Sequence, residues 1–588
     1  MASRTFSRVA PGRAKIAFYF IALVAAYLTW RLIDVQVRQG PQLAREAMDQ
    51  RSETVELFAK RGSILDREGA VLVRSLPSES VFAVPTNVID PHATALAVAP
   101  LLAMKAPALE ATLREHSQFR WLARKIPHET AERIRALNIV GIDMKSEETG
   151  VRFAPSGRLA STALGFVGLD EDGLGGLEYA FNSYLRGVPG KMRIEADQFG
   201  RAIPFADATT IEKAKAGRNL GLTVDSYLQF EAERALAVQV KKSQARSGAA
   251  IIMDPYTGEI LALANVPDYD PTRLSRYPAT ALDNAIEDAY EPGSTFKLIT
   301  AAAALEGHAI GLHQRFPARD SIEVGGRVMH NAEDGMMASG LGSETMEDIV
   351  AYSHNVGAAE VGLATGARQM YRTIRAFGFG DPSMVELPGE NPGIVPPVSD
   401  WSGSSLATIS FGHGISTTPL ALIRAYSAIA NGGLLMRPRI VHALYDERGN
   451  VLYRYPPEVE RRVISERTAA ILRGYLRAVV VRGTGNPAAH VAGYTTAGKT
   501  GTASVAKNGQ YEPGAYIASF IGYVPADRPK FVILVKIERP RGLYYGSEIA
   551  APVFDELARM AMLHAGDMPA PAPVKRLVRR TTAAKVAQ

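Results

Sequence analysis

The residues best placed to do chemistry begin with Ser294 and Lys297, in Glu291-Pro292-Gly293-Ser294-Thr295-Phe296-Lys297. A serine hydroxyl is a weak nucleophile at neutral pH and needs a base within hydrogen-bond reach. Positions i and i+3 share one face of a helix, about 5–6 Å apart at Cβ. The turn signal Glu291-Pro292-Gly293 and the apolar run at 296–305 predict a buried helix starting here. Ser294 then lies in the first turn, where the positive end of the helix dipole favours a developing anion. Lys297 acts as a base only if its ammonium gives up a proton, which burial and a nearby cation, here Lys499, promote. Alone, Ser-x-x-Lys is explained as well by a helix cap and a surface lysine. Its weight comes from two segments downstream.

The first is Tyr352-Ser353-His354-Asn355-Val356-Gly357. The Ser353 hydroxyl is suited to relay a proton between Lys297 and an amine. The Asn355 amide, with both donor and acceptor, is suited to hold Lys297 and a substrate carbonyl together. His354 reads as a spectator, since a base already exists. The second segment is Lys499-Thr500-Gly501-Thr502, which follows a small-residue, β-prone run. As an edge strand it would offer its backbone to an extended peptide, with Gly501 permitting close approach. Lys499, Thr500 and Thr502 suit a substrate carboxylate, and the backbone N–H groups of Ser294 and Thr502 form the expected oxyanion hole.

These side chains need a rigid frame. Residues 516–537 read as two apolar strands around Pro525-Ala526-Asp527-Arg528-Pro529, and residues 247–264 as a second hairpin split at Asp254-Pro255-Tyr256-Thr257-Gly258. Both belong to the sheet that Lys499 edges. Residues 206–220 read as a linker. Upstream, Asp66-Arg67-Glu68-Gly69 is a hairpin turn, and Gly173-Leu174-Gly175-Gly176-Leu177-Glu178 is a Gly-rich turn into a helix that lacks a phosphate-loop ending. No acid/base constellation stands out there.

With 588 residues the chain is too long for one ordinary domain. It has no cysteine, which excludes a disulfide framework and thiolate metal sites. The net charge of +6 is not arranged as a nucleic-acid stripe. Part of it lies at Arg4, Arg8, Arg13 and Lys15, before an uncharged run at 16–30. That run spans about 22 Å as a helix, so residues 31–37 must complete a bilayer crossing of ~30 Å, with Arg31 snorkelling. The basic flank predicts a cytoplasmic N-terminus and an external remainder. A signal peptide cleaved near Ala25-Ala26 is the alternative; the apolar run continuing through Leu28 and Trp30 favours an uncleaved anchor. From Gly566 onward the chain is Pro/Ala-rich and then basic, the pattern of a disordered tail.

Taken together, these motifs resemble the class B penicillin-binding proteins, and within them the division-type transpeptidases. The likeness also runs through Arg61-Gly62-Ser63-Ile64-Leu65-Asp66-Arg67-Glu68-Gly69, Thr223-Val224-Asp225 with Gln229, Phe411-Gly412-His413-Gly414 and Thr418-Pro419-Leu420. Trp401 and Ala407-Thr408-Ile409-Ser410-Phe411-Gly412 lean toward the division branch. Arg152-Phe153-Ala154-Pro155 and Asn284-Ala285 depart from the usual pattern. The resemblance implies an α+β multidomain chain with a cytoplasmic arm at 1–15 and a transmembrane anchor at 16–37. An elongated α+β pedestal of the dimerisation type follows at 38–217. A transpeptidase domain at 218–565, an antiparallel sheet flanked by helices as in serine β-lactamases, precedes the basic tail at 566–588.

The implied activity is a D,D-transpeptidase of the septal cell wall. Ser294 would attack the penultimate D-Ala of a peptidoglycan stem peptide, release D-Ala, and pass the acyl group to a neighbouring amine; β-lactams would trap the same serine. Catalysis would rest on Ser294, Lys297, Ser353, Asn355 and Lys499, with substrate held by Thr500, Gly501 and Thr502. No metal and no organic cofactor are implied. The expected setting is the inner membrane at the septum, with an FtsW-type glycosyltransferase and other divisome membrane proteins as partners. An elongation-type transpeptidase, a D,D-carboxypeptidase and a β-lactam sensor or scaffold are the alternatives. All three motifs are intact, and one hydrophobic segment is fewer than a sensor commonly carries.

Overall fold

The two predicted hairpins combine into one five-stranded antiparallel sheet. Its strands are β1 (Ser247–Met253), β2 (Ile260–Val266), β3 (Ala497–Lys507), β4 (Gln510–Val524) and β5 (Phe531–Glu538), in the order β2-β1-β5-β4-β3. Strand β3 is therefore an edge, as expected. In this computed structural model the described residues are 11–147, 150–195, 209–272, 283–332, 341–507 and 510–569. The arm as far as residue 10 and the tail from residue 570 lie outside them.

Side chains alternate across a strand, and β1 shows the result. Ala250 and Ile252 join a core with helices α2 (Ser226–Lys242) and α8 (Ala551–His564). Ala249, Ile251 and Met253 join the opposite core with α3 (Lys297–Glu306) and α6 (Pro419–Ala430). Helices cover both faces, so β1 from Gly248 and β5 as far as Val535 read as apolar runs without polar alternation. Three further helices matter below: α4 (Met346–Tyr352), α5 (Asn355–Thr365) and α7 (Glu466–Arg482).

The chain forms two compact units. One comprises residues 1–59 and 188–215. It contains helix α1 (Pro11–Ile33) and an antiparallel sheet of Ser52–Leu57, Gly190–Glu195 and Thr209–Glu212. Helix continues from Gly12 to Arg38 over 27 residues with mean hydropathy 1.8 and none of its most apolar stretch buried. At 1.5 Å per residue that is about 40 Å, more than a bilayer core of ~30 Å. The Arg31 guanidinium donates to Asp34 Oδ2 at 2.8 Å, which pairs the charge that interrupts the apolar run.

The other unit holds residues 60–187 and 216–588. The end of the segment expected to be a linker, 206–220, already belongs to a strand, Asn219–Leu222, that runs parallel to Ile64–Leu65 and antiparallel to Val441–Tyr445. A cut at residue 218 would therefore divide a sheet. A buried charge cluster knits the same region. Glu178 accepts from Arg61 Nε through Oε2 and from Arg152 Nε through Oε1, each at 2.8 Å. Arg61 also donates to Glu171 O and Asn182 Oδ1, and Arg152 to Gly62 O. Arg152, a departure from the family pattern, is thus half of a clamp on the Arg61-Gly62 and Gly-rich segments.

Asp283 lies where these parts meet. Its Oδ1 accepts from Asn265 Nδ2 at 2.9 Å and from Ala285 N at 3.1 Å, and Asn265 also donates to Thr162 Oγ1. Oδ2 is buried and has no hydrogen-bond partner among the described residues. Burial raises the Asp283 pKa to about 7. An acid whose folded pKa lies above its unfolded value binds its proton more tightly when folded. Its contribution to stability is therefore lost as pH rises from about 4, the unfolded value, to about 7. Asp283→Asn removes the titrating group. The variant's melting temperature should exceed that of the parent chain at pH 8 but not at pH 5; equal shifts at both values would contradict this account.

Candidate active site

Ser294 sits in a 3₁₀ turn, Gly293–Phe296, that leads into α3 at Lys297. The predicted helix start is thus tighter than an α-turn, but the i, i+3 pairing survives: Lys297 Nζ is 3.1 Å from Ser294 Oγ. Two hydrogen bonds fix the turn from below. Thr295 Oγ1 donates to Pro292 O at 2.7 Å, and Tyr426 Oη donates to Thr295 O at 2.8 Å.

Lys297 is 0% exposed. Its ammonium nitrogen reaches Asn355 Oδ1 at 2.8 Å, Ser353 Oγ at 3.2 Å and the Ser353 carbonyl oxygen. Asn355 Nδ2 donates to His330 O at 3.0 Å, which turns Oδ1 toward the lysine. These partners dictate what a neutral Lys297 would do. Its two hydrogens would go to Asn355 Oδ1 and Ser353 O, which can only accept. The lone pair is left for the hydroxyl hydrogen of Ser294. The cage thus aims that lone pair at the Ser294 hydroxyl.

The Ser353 corner depends on an uncommon backbone. Ser353 has φ 65° and ψ 31°, in the left-handed region, which costs a non-glycine residue roughly 1–2 kcal/mol. The turn ends α4 and begins α5, bringing both the carbonyl and the hydroxyl of Ser353 onto Lys297. Helix α4 starts with a capping box between Thr345 and Asp348. His354 Nδ1 lies 2.5 Å from Glu344 Oε2, both side chains buried, so the end of α4 is tied back to the residue before its N-cap. Read as a spectator, His354 is instead an anchor for the turn. Asn331 Oδ1 accepts from Asn355 N and Val356 N at 2.8 and 3.0 Å and caps α5.

Lys499 is also 0% exposed. Its Nζ is 2.9 Å from Ser353 Oγ and 3.1 Å from Thr500 O. Ser353 Oγ therefore lies between two ammonium groups. Accepting from both turns its own hydrogen away from them, toward the cavity. Thr500 Oγ1 pairs with Thr484 Oγ1 at 2.8 Å, and Thr502 Oγ1 accepts from Gly546 N at 3.2 Å. Gly501 also has a packing reason of its own. A Cβ there would stand 2.4 Å from Ser519 Oγ and 2.9 Å from Thr295 Cγ2. The missing side chain lets β3 pack on the nucleophile's own turn. The main chains of Gly293 and Thr502 come close in the same place, which puts the Ser294 and Thr502 backbones beside one another.

These residues open into a cavity of about 330 Å³ lined by Ser294, Ser353, Asn355, His413, Thr500 and Thr502. Its far wall is aromatic: Tyr516 and Tyr544 stack at 4.1 Å with 14° between their planes, and Tyr545 follows. Sequence reasoning did not find this wall, Asn331, or the group Glu291–His413–Tyr511. None has a local spacing that announces it. A Lys297→Arg variant keeps the charge but cannot supply a lone pair. Acylation of Ser294 in that folded variant should slow at least ~10²-fold, measured by rapid labelling with a fluorescent penicillin.

Comparison with known proteins agrees with this geometry. The family model "Penicillin binding protein transpeptidase domain" matches residues 248–559, and "Penicillin-binding Protein dimerisation domain" matches residues 56–222. Stage V sporulation protein D of Bacillus subtilis is 34% identical over 95% of this chain and 86% of its own length. Peptidoglycan D,D-transpeptidase FtsI of Escherichia coli is 33% identical over 91% of this chain and 88% of its own. The crystal structure of penicillin-binding protein 3 from Mycobacterium tuberculosis, complexed with aztreonam, superposes with a TM-score of 0.67 at 28% identity, covering 88% of this chain and 99% of that one. Two domain matches in the same order as the fold, and relatives alike along almost their whole length, place the chain in a family: it belongs to the class B penicillin-binding proteins and is a transpeptidase.

Proposed function

We propose that this chain is a peptidoglycan D,D-transpeptidase that cross-links stem peptides of the division septum. The observation that carries the reading is the convergence on one hydroxyl: Ser294 Oγ has a buried, caged amine at 3.1 Å and a sheet edge beside it. In this reading Lys297 takes the Ser294 proton as Oγ attacks the penultimate D-Ala carbonyl. The N–H groups of Ser294 and Thr502 receive the oxyanion. Ser353, polarised by Lys499, relays that proton from Lys297 to the departing D-Ala. Asn355 holds Lys297 and the substrate amide, and Thr500, Gly501 and Thr502 carry the substrate along β3. An amine of a second stem then resolves the ester. A β-lactam enters the first half of this sequence and stops there.

The division role is supported by the similarity to FtsI and by Trp401 and the 407–412 segment. The near-equal similarity to a sporulation protein favours a second reading, in which the same chemistry serves a septum built only during sporulation. Helix α1 supports a single-pass inner-membrane anchor with a cytoplasmic arm, and the domain matches at 56–222 and 248–559 support a pedestal followed by a catalytic domain. An FtsW-type glycosyltransferase and other divisome membrane proteins are the partners this reading calls for.

Mass spectrometry after penicillin treatment should find one acyl group, on Ser294, and none in Ser294→Ala; label elsewhere sinks the assignment. Cells depleted of the protein should filament with unfinished septa. Loss of rod shape would move it to the elongation branch, and a defect confined to spores would favour the second reading. A reporter that works only outside the cytoplasmic membrane, fused after residue 588, should be active.

A further inference from the structure

The cavity contains an imidazole that the reaction as described does not use. His413 lines it together with Ser294 and Ser353. The Gly293 N–H donates to Gly412 O at 3.1 Å, which fixes the His413 loop against the nucleophile's turn. The hydrogen bonds around the ring identify its tautomer. Tyr511 has a single hydroxyl hydrogen, and it goes to Glu291 Oε2 at 2.9 Å. The Tyr511 oxygen can therefore only accept from His413 Nδ1, 2.9 Å away. Glu291 Oε2, at 3.3 Å, attracts the same Nδ1 hydrogen, and Glu291 Oε1 is held by Gly414 N at 2.8 Å. A neutral His413 thus carries its hydrogen on Nδ1 and its lone pair on Nε2, which has no protein partner among the described residues. A carboxylate that fixes an imidazole tautomer so that the other nitrogen is a base is a general catalytic arrangement.

We propose that His413 is a second catalytic base of this site, taking the proton of the acceptor amine at Nε2 during the second half-reaction. The inference rests on the transpeptidase reading above. The amine nitrogen attacks the Ser294 ester carbonyl and the C–N bond forms. The nitrogen's surplus proton passes to His413 Nε2. The C–Oγ bond breaks, and Ser294 Oγ takes that proton from His413 Nε2 across the cavity that both residues line. The products are the new amide, a free serine, a neutral His413 and a neutral Lys297, the state in which the next acylation begins.

The groups facing His413 are Glu291, Tyr511, Lys297 and Arg327. Burial lowers the His413 pKa, Lys297 and Arg327 lower it further, and Glu291 opposes them. The ring is therefore unprotonated at neutral pH. Tyr511, buried and beside Glu291, has its pKa raised and keeps the hydrogen on which the tautomer argument depends.

The test uses the full chain, a thioester donor that acylates Ser294, and D-alanine as the acceptor amine. In the parent protein the aminolysis rate should show an acid-side inflection below pH ~6.5, the ordinary imidazole value. In His413→Gln, aminolysis should fall at least ~10-fold more than acylation does, the ratio of amide to hydrolysed product should fall with it, and the inflection should vanish. An unchanged product ratio with an unchanged profile overturns the proposal. So does an equal loss in both half-reactions, which would mark a structural role. Should His413→Gln fail to fold, Glu291→Gln decides. Removing the carboxylate lowers the imidazole pKa, so the inflection should move to lower pH; an unmoved inflection overturns the proposal. If the parent protein is not acylated at Ser294, the transpeptidase reading fails, and that result is separate from the His413 outcome.

Discussion

Two ammonium groups without solvent, sharing one serine hydroxyl, are the constraint on which the catalytic part is built. An unpaired buried cation is strongly unfavourable, so Lys297 and Lys499 each require fixed acceptors. Those acceptors come from different parts of the chain: Ser353 and Asn355 from the α4–α5 turn, Thr500 from β3. The sheet, α3 and the α4–α5 pair are thereby held in one relation. The left-handed backbone of Ser353, the His354–Glu344 tie and the Asn331 cap all keep that turn in place. The strain at Ser353 is tolerated because several neighbours over-determine it.

A second buried charge group plays the same part within residues 60–187 of this unit. Arg61, Arg152 and Glu178 are each almost fully enclosed. Removing Glu178 alone would strand two guanidinium groups, whereas a well-packed apolar trio could fill the same space. The cluster is better understood as fixing which segments meet than as a source of stability. Asp283, at the edge of this region, is the opposite case: a carboxyl with one oxygen left unmatched.

Much of the site was legible because its chemistry is local. Ser294 and Lys297 are separated by one helical turn, and Ser353 and Asn355 flank a single residue, so side-chain type and spacing carry the information. The five-stranded sheet was legible from its apolar runs and turn residues. What escaped has no such signature. His413, Tyr511 and Glu291 are far apart in sequence and meet only through the loop packed on Gly293. Arg152 looked like a departure and proved to be the partner of Glu178. His354 looked idle because its role is made by Glu344, which nothing nearby marks as its counterpart. The 206–220 segment looked like a linker because strands of four residues are too short to show a pattern.

Strand β3 is the open margin of its sheet, and an open margin invites any extended chain, including another copy's. Here the invitation is narrow. Residues 497–501 are buried, partial exposure begins at Thr502, and it recurs at Ser504 and Val505 before the exposed Ala506. Thr484 pairs with Thr500 in the earlier part. The open part of the edge is therefore confined to the stretch from Thr502 onward. Self-recognition along the sheet, the first step toward fibrils, is suppressed by showing very little edge, and that same economy of exposure measures the guest peptide against the serine.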